Sequence, residues 1–129
     1  MSGNVGTRLP TNDRRREPGY YPETSGSAGI AAGWLAGIGM GWLDESYGDS
    51  VDRALIGVMA LIESDGTVQG VSGGTPVMPS IQAYDDIPCY PTLYGQGLTL
   101  ILLSLAIKDK REKQDAEDAD SGLDPTYFR

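Results

Sequence analysis

The stretch TSGSAGIAAGWLAGIGMGWL, residues 24–43, sets the architecture that the rest of the chain must accommodate. It carries no charge, and glycine falls at every fourth position: Gly29, Gly33, Gly37 and Gly41. At 3.6 residues per turn these four make one nearly continuous seam along a helix, against which a neighbouring backbone can approach closely. Each interior glycine costs roughly 1 kcal/mol relative to alanine, so packing must offset about 4 kcal/mol of lost propensity. Trp34, Leu35, Ile38 and Trp42 supply the large surfaces for that packing. Residues 24–43 are therefore expected to form one buried helix, capped by Thr24 or Ser25. A membrane span is disfavoured. The uncharged run from Ala28 to Leu43 is 16 residues, spanning needs roughly 20, and Asp44 and Glu45 follow it with no flanking basic residue.

Working outward, Val51, Ala54, Leu55, Val58, Met59 and Ile62 recur at helical spacing and predict an amphipathic helix over 50–63, capped by Asp49 or Ser50. The short polar link makes it the second arm of a helical hairpin. Residues 64–80 change character. Asp65-Gly66 and the glycine-rich 72–76 stretch are turn signals around a weakly alternating 67–71, predicting a short β-hairpin or ordered loop near 65–77. A brief helical turn is expected over 80–86, and Pro88 and Pro91 forbid regular structure between 86 and 91. Thr92 caps a last helix reaching Ile107 or slightly beyond. Its 98–107 portion is apolar nearly all round, which predicts burial on every side. Residues 1–21 read as a flexible leader and 108–129 as a charged tail, with 22–107 the folded part.

The 129 residues hold 18 acids against 10 bases, for a net charge of −8. That disfavours nucleic acid and anionic membranes as partners. Lysine is confined to 108–113. Acidity with scarce lysine suits a protein kept soluble at high salt, although an ordinary acidic cytosolic protein fits equally. Histidine is absent, which removes the commonest general base and metal ligand. The single Cys89 permits no intrachain disulfide, and with no signal peptide a reducing, cytoplasmic location is expected. Lacking a histidine to activate it, Cys89 is a poor nucleophile candidate. The Gly37-Ile38-Gly39-Met40-Gly41 run lies inside a helix pattern, without the preceding strand of a nucleotide-binding loop, so packing explains it better. The adjacent acids Asp44-Glu45 and Asp85-Asp86 are read as solvated turns. Tyr84, Tyr90 and Tyr94, with Trp34 and Trp42, suit either a core or a sugar-binding cleft.

Two blocks, ETSGSAGIAAG at 23–33 and DGTVQGVSGGTPVMPSIQAYDDIPCYPTLYGQGLTLILLS at 65–104, together with the hairpin between them, resemble the C-terminal part of glycoside hydrolases of families 88 and 105. The resemblance covers 22–107 and implies an all-α fold, a partial (α/α)6 toroid. In it 24–43 and 98–107 would be inner helices and 50–63 an outer one. It further implies removal of unsaturated uronic acid from pectin- or glycosaminoglycan-derived oligosaccharides by hydration of the sugar's double bond, with an aspartate as general acid/base and neither metal nor cofactor. The family's catalytic aspartate precedes the matched region, so no catalytic residue carries over. Where many relatives have His-Gly, this chain has Tyr94-Gly95-Gln96-Gly97. Ser72, Thr75, Tyr94 and Gln96 match positions near the family's cleft and are the candidate substrate contacts. The expectation is thus a fragment, inactive alone, whose partners are an unsaturated oligosaccharide, further copies of itself or an upstream companion fragment. The alternative is a non-catalytic carbohydrate- or partner-binding helical module.

Overall fold

In the computed structural model, residues 21–122 are described. Their element order is α1 (Thr24–Gly39), a single 3-10 turn (Glu45–Tyr47), α2 (Gly48–Met59), a five-residue α3 (Ile81–Asp85) and α4 (Leu93–Asp120). Helix α1 packs on both α2 and α4, and α2 touches α4 only lightly. The architecture is all-α, a helical hairpin laid on one long helix.

The close packing of α1 comes from its alanines. Ala28, Ala31 and Ala32 share one face and are buried with Ala54 and Val58 of α2 and Leu102 of α4; Leu55, Leu98 and Leu105 close around them. Their short side chains let three helices meet at once. The glycine seam expected to do this does so only at Gly29, where an added Cβ would lie 3.4 Å from Leu98. A Cβ on Gly33 would meet nothing within 4 Å, and one on Gly37 would meet Leu43, which follows α1 in the same chain. The reason is rotational: four residues turn a helix by roughly 400°, so a four-residue repeat drifts about 40° per step and winds off the interface.

Helix α1 also ends earlier than 43. Gly41 has φ +74, Trp42 N–H donates to the Gly37 carbonyl at 2.9 Å, and Gly41 N–H donates to that of Ile38 at 3.0 Å. This pair of hydrogen bonds around a left-handed glycine is the Schellman stop. Beyond it Trp42 is 78% exposed, so it does not belong to the core, whereas Trp34 stacks at a tilt on Tyr47 with centroids 5.9 Å apart. Asp44 caps the 3-10 turn through Ser46 N–H at 2.8 Å. Helix α2 begins at Gly48 with no side-chain cap, so neither Asp49 nor Ser50 plays that role. It buries Val51, Ala54, Gly57 and Val58. Met59 is exposed, and Ile62 lies past the helix end in a bridge with Val68.

The connection from α2 to α4 is an ordered loop. The Ile62–Val68 bridge closes a tight turn at Asp65-Gly66, where Asp65 accepts from Thr67 N–H at 2.9 Å and Gly66 has φ +89. A second bridge joins Ser72 to Cys89. Ser80 caps α3 through Ala83 N–H at 3.1 Å, and Thr92 caps α4 through Gly95 N–H at 2.9 Å. Helix α4 buries only one stripe, Gly95, Thr99 and Leu102, while Leu100, Ile101 and Ile107 face solvent; the all-round burial expected for 98–107 is absent. Helix α4 also continues through the charged run to Asp120 rather than fraying near Ile107. There Lys113 meets Asp109 at 2.8 Å and Lys108 meets Glu112 at 3.8 Å, i to i+4 pairs that support an exposed helix. The leader expected over 1–21 lies outside the described residues except for Tyr21, as do 123–129 of the expected tail.

Candidate functional site

The start of α1 and the loop after α2 are tied together by a carboxylate. Glu23, not Thr24 or Ser25, is the N-cap of α1. It is the one buried acid among the described residues, 7% exposed. One oxygen accepts from Ser25 N–H at 3.2 Å, Ser25 Oγ at 2.8 Å and Ser72 N–H at 2.9 Å; the other accepts from Gly26 N–H at 2.6 Å. Thr24 N–H donates in turn to the Gly70 carbonyl at 2.9 Å. The helix N-terminus and the loop backbone thus supply the donors that a buried carboxylate requires.

From the other side the loop is held by α4. Tyr94 donates its hydroxyl to the Ser72 carbonyl. The Gln96 side chain accepts from Val68 N–H at 2.6 Å and donates to the Gly66 carbonyl at 3.0 Å. Tyr90 donates to the Gly73 carbonyl at 2.8 Å, and its ring occupies the space a Cβ on residue 73 would need. Gly95 is likewise obligatory, because a Cβ there would sit 2.7 Å from Val71. Tyr84 accepts from Met78 N–H at 3.0 Å and closes the next part of the loop.

Of the four candidate contacts, the structure brings Ser72, Tyr94 and Gln96 into one anchoring network and leaves Thr75 exposed on the far side of Gly74, whose φ is +118. Ser72 is buried, and both amide ends of Gln96 are engaged by backbone. Thr75 and the half-exposed rings of Tyr90 and Tyr94 face outward. Tyr21 lies beside Ser72 and Cys89. Burial raises its phenol above the ordinary value, the Ser72 hydroxyl opposes this, and the Cys89 thiol and Glu23 carboxylate add to it. Tyr21 and Glu23 were not singled out from sequence as parts of this site, whereas Tyr90 stood among the aromatics suited to either a core or a sugar-binding cleft. Glu23 carries a signal in hindsight, an acid just before Thr-Ser-Gly at a helix start.

The remaining acids are arranged otherwise. Asp44 and Asp65 are exposed, each held below the ordinary aspartate value by donors of its own turn, Ser46 and Thr67 respectively. Asp86 accepts from Gln82 at 2.9 Å. Among the described residues no three acids, cysteines or histidines converge on a metal-sized site, and no helix is long and apolar enough to cross a membrane.

This arrangement of helices and loop recurs in solved structures. A possible member of the GH105 family from Salmonella enterica serovar Paratyphi A superposes with TM-score 0.69 at 25% identity, over 74% of this chain and 25% of that one. A family 105 glycoside hydrolase from C. acetobutylicum superposes with TM-score 0.61 at 24% identity, over 70% of this chain and 28% of that one. The fold is that of the helical-toroid glycoside hydrolases, in part. The model of Glycosyl Hydrolase Family 88 matches residues 12–109, and the chain belongs to that family. The unsaturated rhamnogalacturonyl hydrolase YesR of Bacillus subtilis is 34% identical over 97 residues, which are 74% of this chain and 26% of the relative. The chain therefore spans about a quarter of the length of these relatives.

Proposed function

We propose that this chain forms the C-terminal quarter of an unsaturated-uronyl hydrolase, one that removes unsaturated uronic acid from pectin- or glycosaminoglycan-derived oligosaccharides. Its part is to present the 72–75 loop to the sugar, and it is inactive alone. The observation that carries this reading is the anchoring of the loop at Ser72 by Glu23 and Tyr94, which leaves Thr75 and two tyrosine rings turned outward. Aromatic faces beside a hydroxyl suit a pyranose ring, which is apolar on its faces and polar at its edges. The 34% identity to a relative named as an unsaturated rhamnogalacturonyl hydrolase supports the sugar class. In this reading Thr75 and Tyr94 contact the sugar, while Ser72 and Gln96 hold the loop that carries them. Among the described residues the one buried acid, Glu23, serves as helix cap and loop anchor, and the other acids are exposed or half-buried, which supports inactivity of the chain alone.

The test follows the ultraviolet absorbance of the substrate's double bond with unsaturated rhamnogalacturonyl and glucuronyl disaccharides. The expected result for the chain alone is no loss above the buffer rate. Turnover overturns the reading and directs attention to Asp44, Asp65, Asp85 and Asp86. Tight binding without turnover, abolished by Thr75→Ala, favours the non-catalytic carbohydrate-binding module.

A further inference from the structure

The match to family 88 ends at residue 109, but helix α4 continues to Asp120. From Lys108 to Asp120 every residue is exposed except the half-buried Asp109. The charges of this arm are ordered about Gln114. Lys108, Lys110, Arg111 and Lys113 stand six, four, three and one residues before it; Asp120, Asp118, Glu117 and Asp115 stand six, four, three and one residues after it. The two acids of the first half, Asp109 and Glu112, mirror the neutral Ala119 and Ala116. A second copy laid antiparallel and centred on Gln114 therefore brings each of these bases level with an acid, and no charge level with its like. Laid parallel, it sets every charge against its like, the arrangement that opposes pairing. From this order we infer that residues 108–120 are a homodimer interface. The arms of two copies lie antiparallel and cross at Gln114, and Lys110 and Arg111 of each face Asp118 and Glu117 of the other.

The helix places these groups together and leaves them open. At 3.6 residues per turn Lys110, Arg111, Gln114, Glu117 and Asp118 share one face. Lys113 and Asp109, bonded at 2.8 Å, lie on another. The hydrogen bond to Asp109, and further off the charges of Asp52 and Glu45, raise the Lys113 pKa, so that side looks toward α2. The Gln114 face is turned roughly 100° away from it. Lys110, Arg111 and Glu117 make no ion pair among the described residues. The order of charge also runs against the helix's own dipole. Its last turn holds Glu117, Asp118 and Asp120 and no base, where a lone helix is stabilised by cations. Bases from a second copy answer those acids. Exposed pairs are individually weak, so the junction is reversible and sets orientation and register. It spans roughly 20 Å of helix and holds the two bodies at opposite ends, which limits repulsion between chains of net charge −8. This inference does not rest on the sugar reading.

Sedimentation equilibrium of the whole chain over a concentration series is expected to show a reversible dimer. Lys110→Glu with Arg111→Glu, and separately Glu117→Lys with Asp118→Lys, should each weaken it at least about tenfold. The second pair moves the net charge from −8 to −4, since each acid-to-lysine change adds two. If overall repulsion governed association, that variant would bind itself more tightly than wild type, and such a result overturns the inference. Mixed together, the two variants set an all-acidic face against an all-basic one and should associate one to one, at least as tightly as wild type. A chain with all four reversals should dimerise like wild type. An arm that had merely unfolded could not give either rescue. A wild-type chain that stays monomeric up to its solubility limit overturns the proposal, as does a mixture or a fourfold variant that does not associate. So does a dimer that Leu100→Glu disperses and the reversals leave intact, because association then runs through the exposed apolar residues of α4.

Discussion

Replacing Glu23 by alanine removes acceptors from two places at once, and the two contributions can be separated. At the start of α1 it strips the N-cap from Ser25 and Gly26 N–H. Gly26 is exposed, so water takes over part of the role, and cap loss of this kind costs about 1 kcal/mol. At the loop it orphans the buried Ser72 N–H, and an unsatisfied buried donor costs about 1–3 kcal/mol. Together Glu23→Ala is expected to cost about 2–4 kcal/mol, a large share of the roughly 5–15 kcal/mol that holds a domain folded. Glu23→Asp keeps a good capping group but is one methylene shorter, so it should lose only the Ser72 bond and fall between wild type and alanine. Urea midpoints give the stabilities, and hydrogen exchange at the Ser72 amide reports the loop directly, faster by about tenfold or more in both variants. A wild-type midpoint for Glu23→Ala, or an aspartate variant as unstable as the alanine one, would show that Glu23 does not hold both places.

Gly33→Ala should stabilise by about 1 kcal/mol, because its Cβ meets open space in a helix interior, whereas Gly41→Ala should destabilise by about 1–2 kcal/mol at φ +74; thermal melts of the pair decide it. Asp65 has a folded pKa below its ordinary 3.8. Its contribution is therefore present above that value and lost as pH falls through and below it, and Asp65→Ala should reduce the fall in urea midpoint between pH 6 and pH 3. With 18 acids against 10 bases, melting temperature and helical circular dichroism should rise from low to molar salt as self-repulsion is screened; a flat or falling response removes the high-salt reading.

How far the sequence speaks for the structure depends on where each residue's partner lies. Helix α2 was legible because Val51, Ala54 and Val58 mark its buried face within one short segment. The turn at Asp65-Gly66 and the cap at Thr92 are likewise local, the carboxylate or hydroxyl serving an amide two or three residues on. Glu23 was missed because its decisive partner, Ser72, is 49 residues away. The glycine repeat gave a correct helix and a wrong contact surface, since periodicity identifies a stripe but not which neighbour it faces. Along residues 98–107 an apolar run broken only by Thr99 and Ser104 looks the same whether two flanks are covered or one. The candidate site was legible as a place: Ser72, Tyr94 and Gln96 do meet. What each does there was not, because engagement by backbone groups is decided in three dimensions.

The two faces of α4 share a single turn of helix. Leu93, which is exposed, and Gly97, where an added Cβ would meet open space, bracket Tyr94 and Gln96, whose side chains grip the loop backbone at Ser72, Val68 and Gly66. A helix transmits displacement along and about its axis nearly as a rigid rod, and here the grips are direct bonds rather than soft contacts. A shift or rotation of the first turn of α4 is therefore carried by these bonds to the backbone at Gly66, Val68 and Ser72.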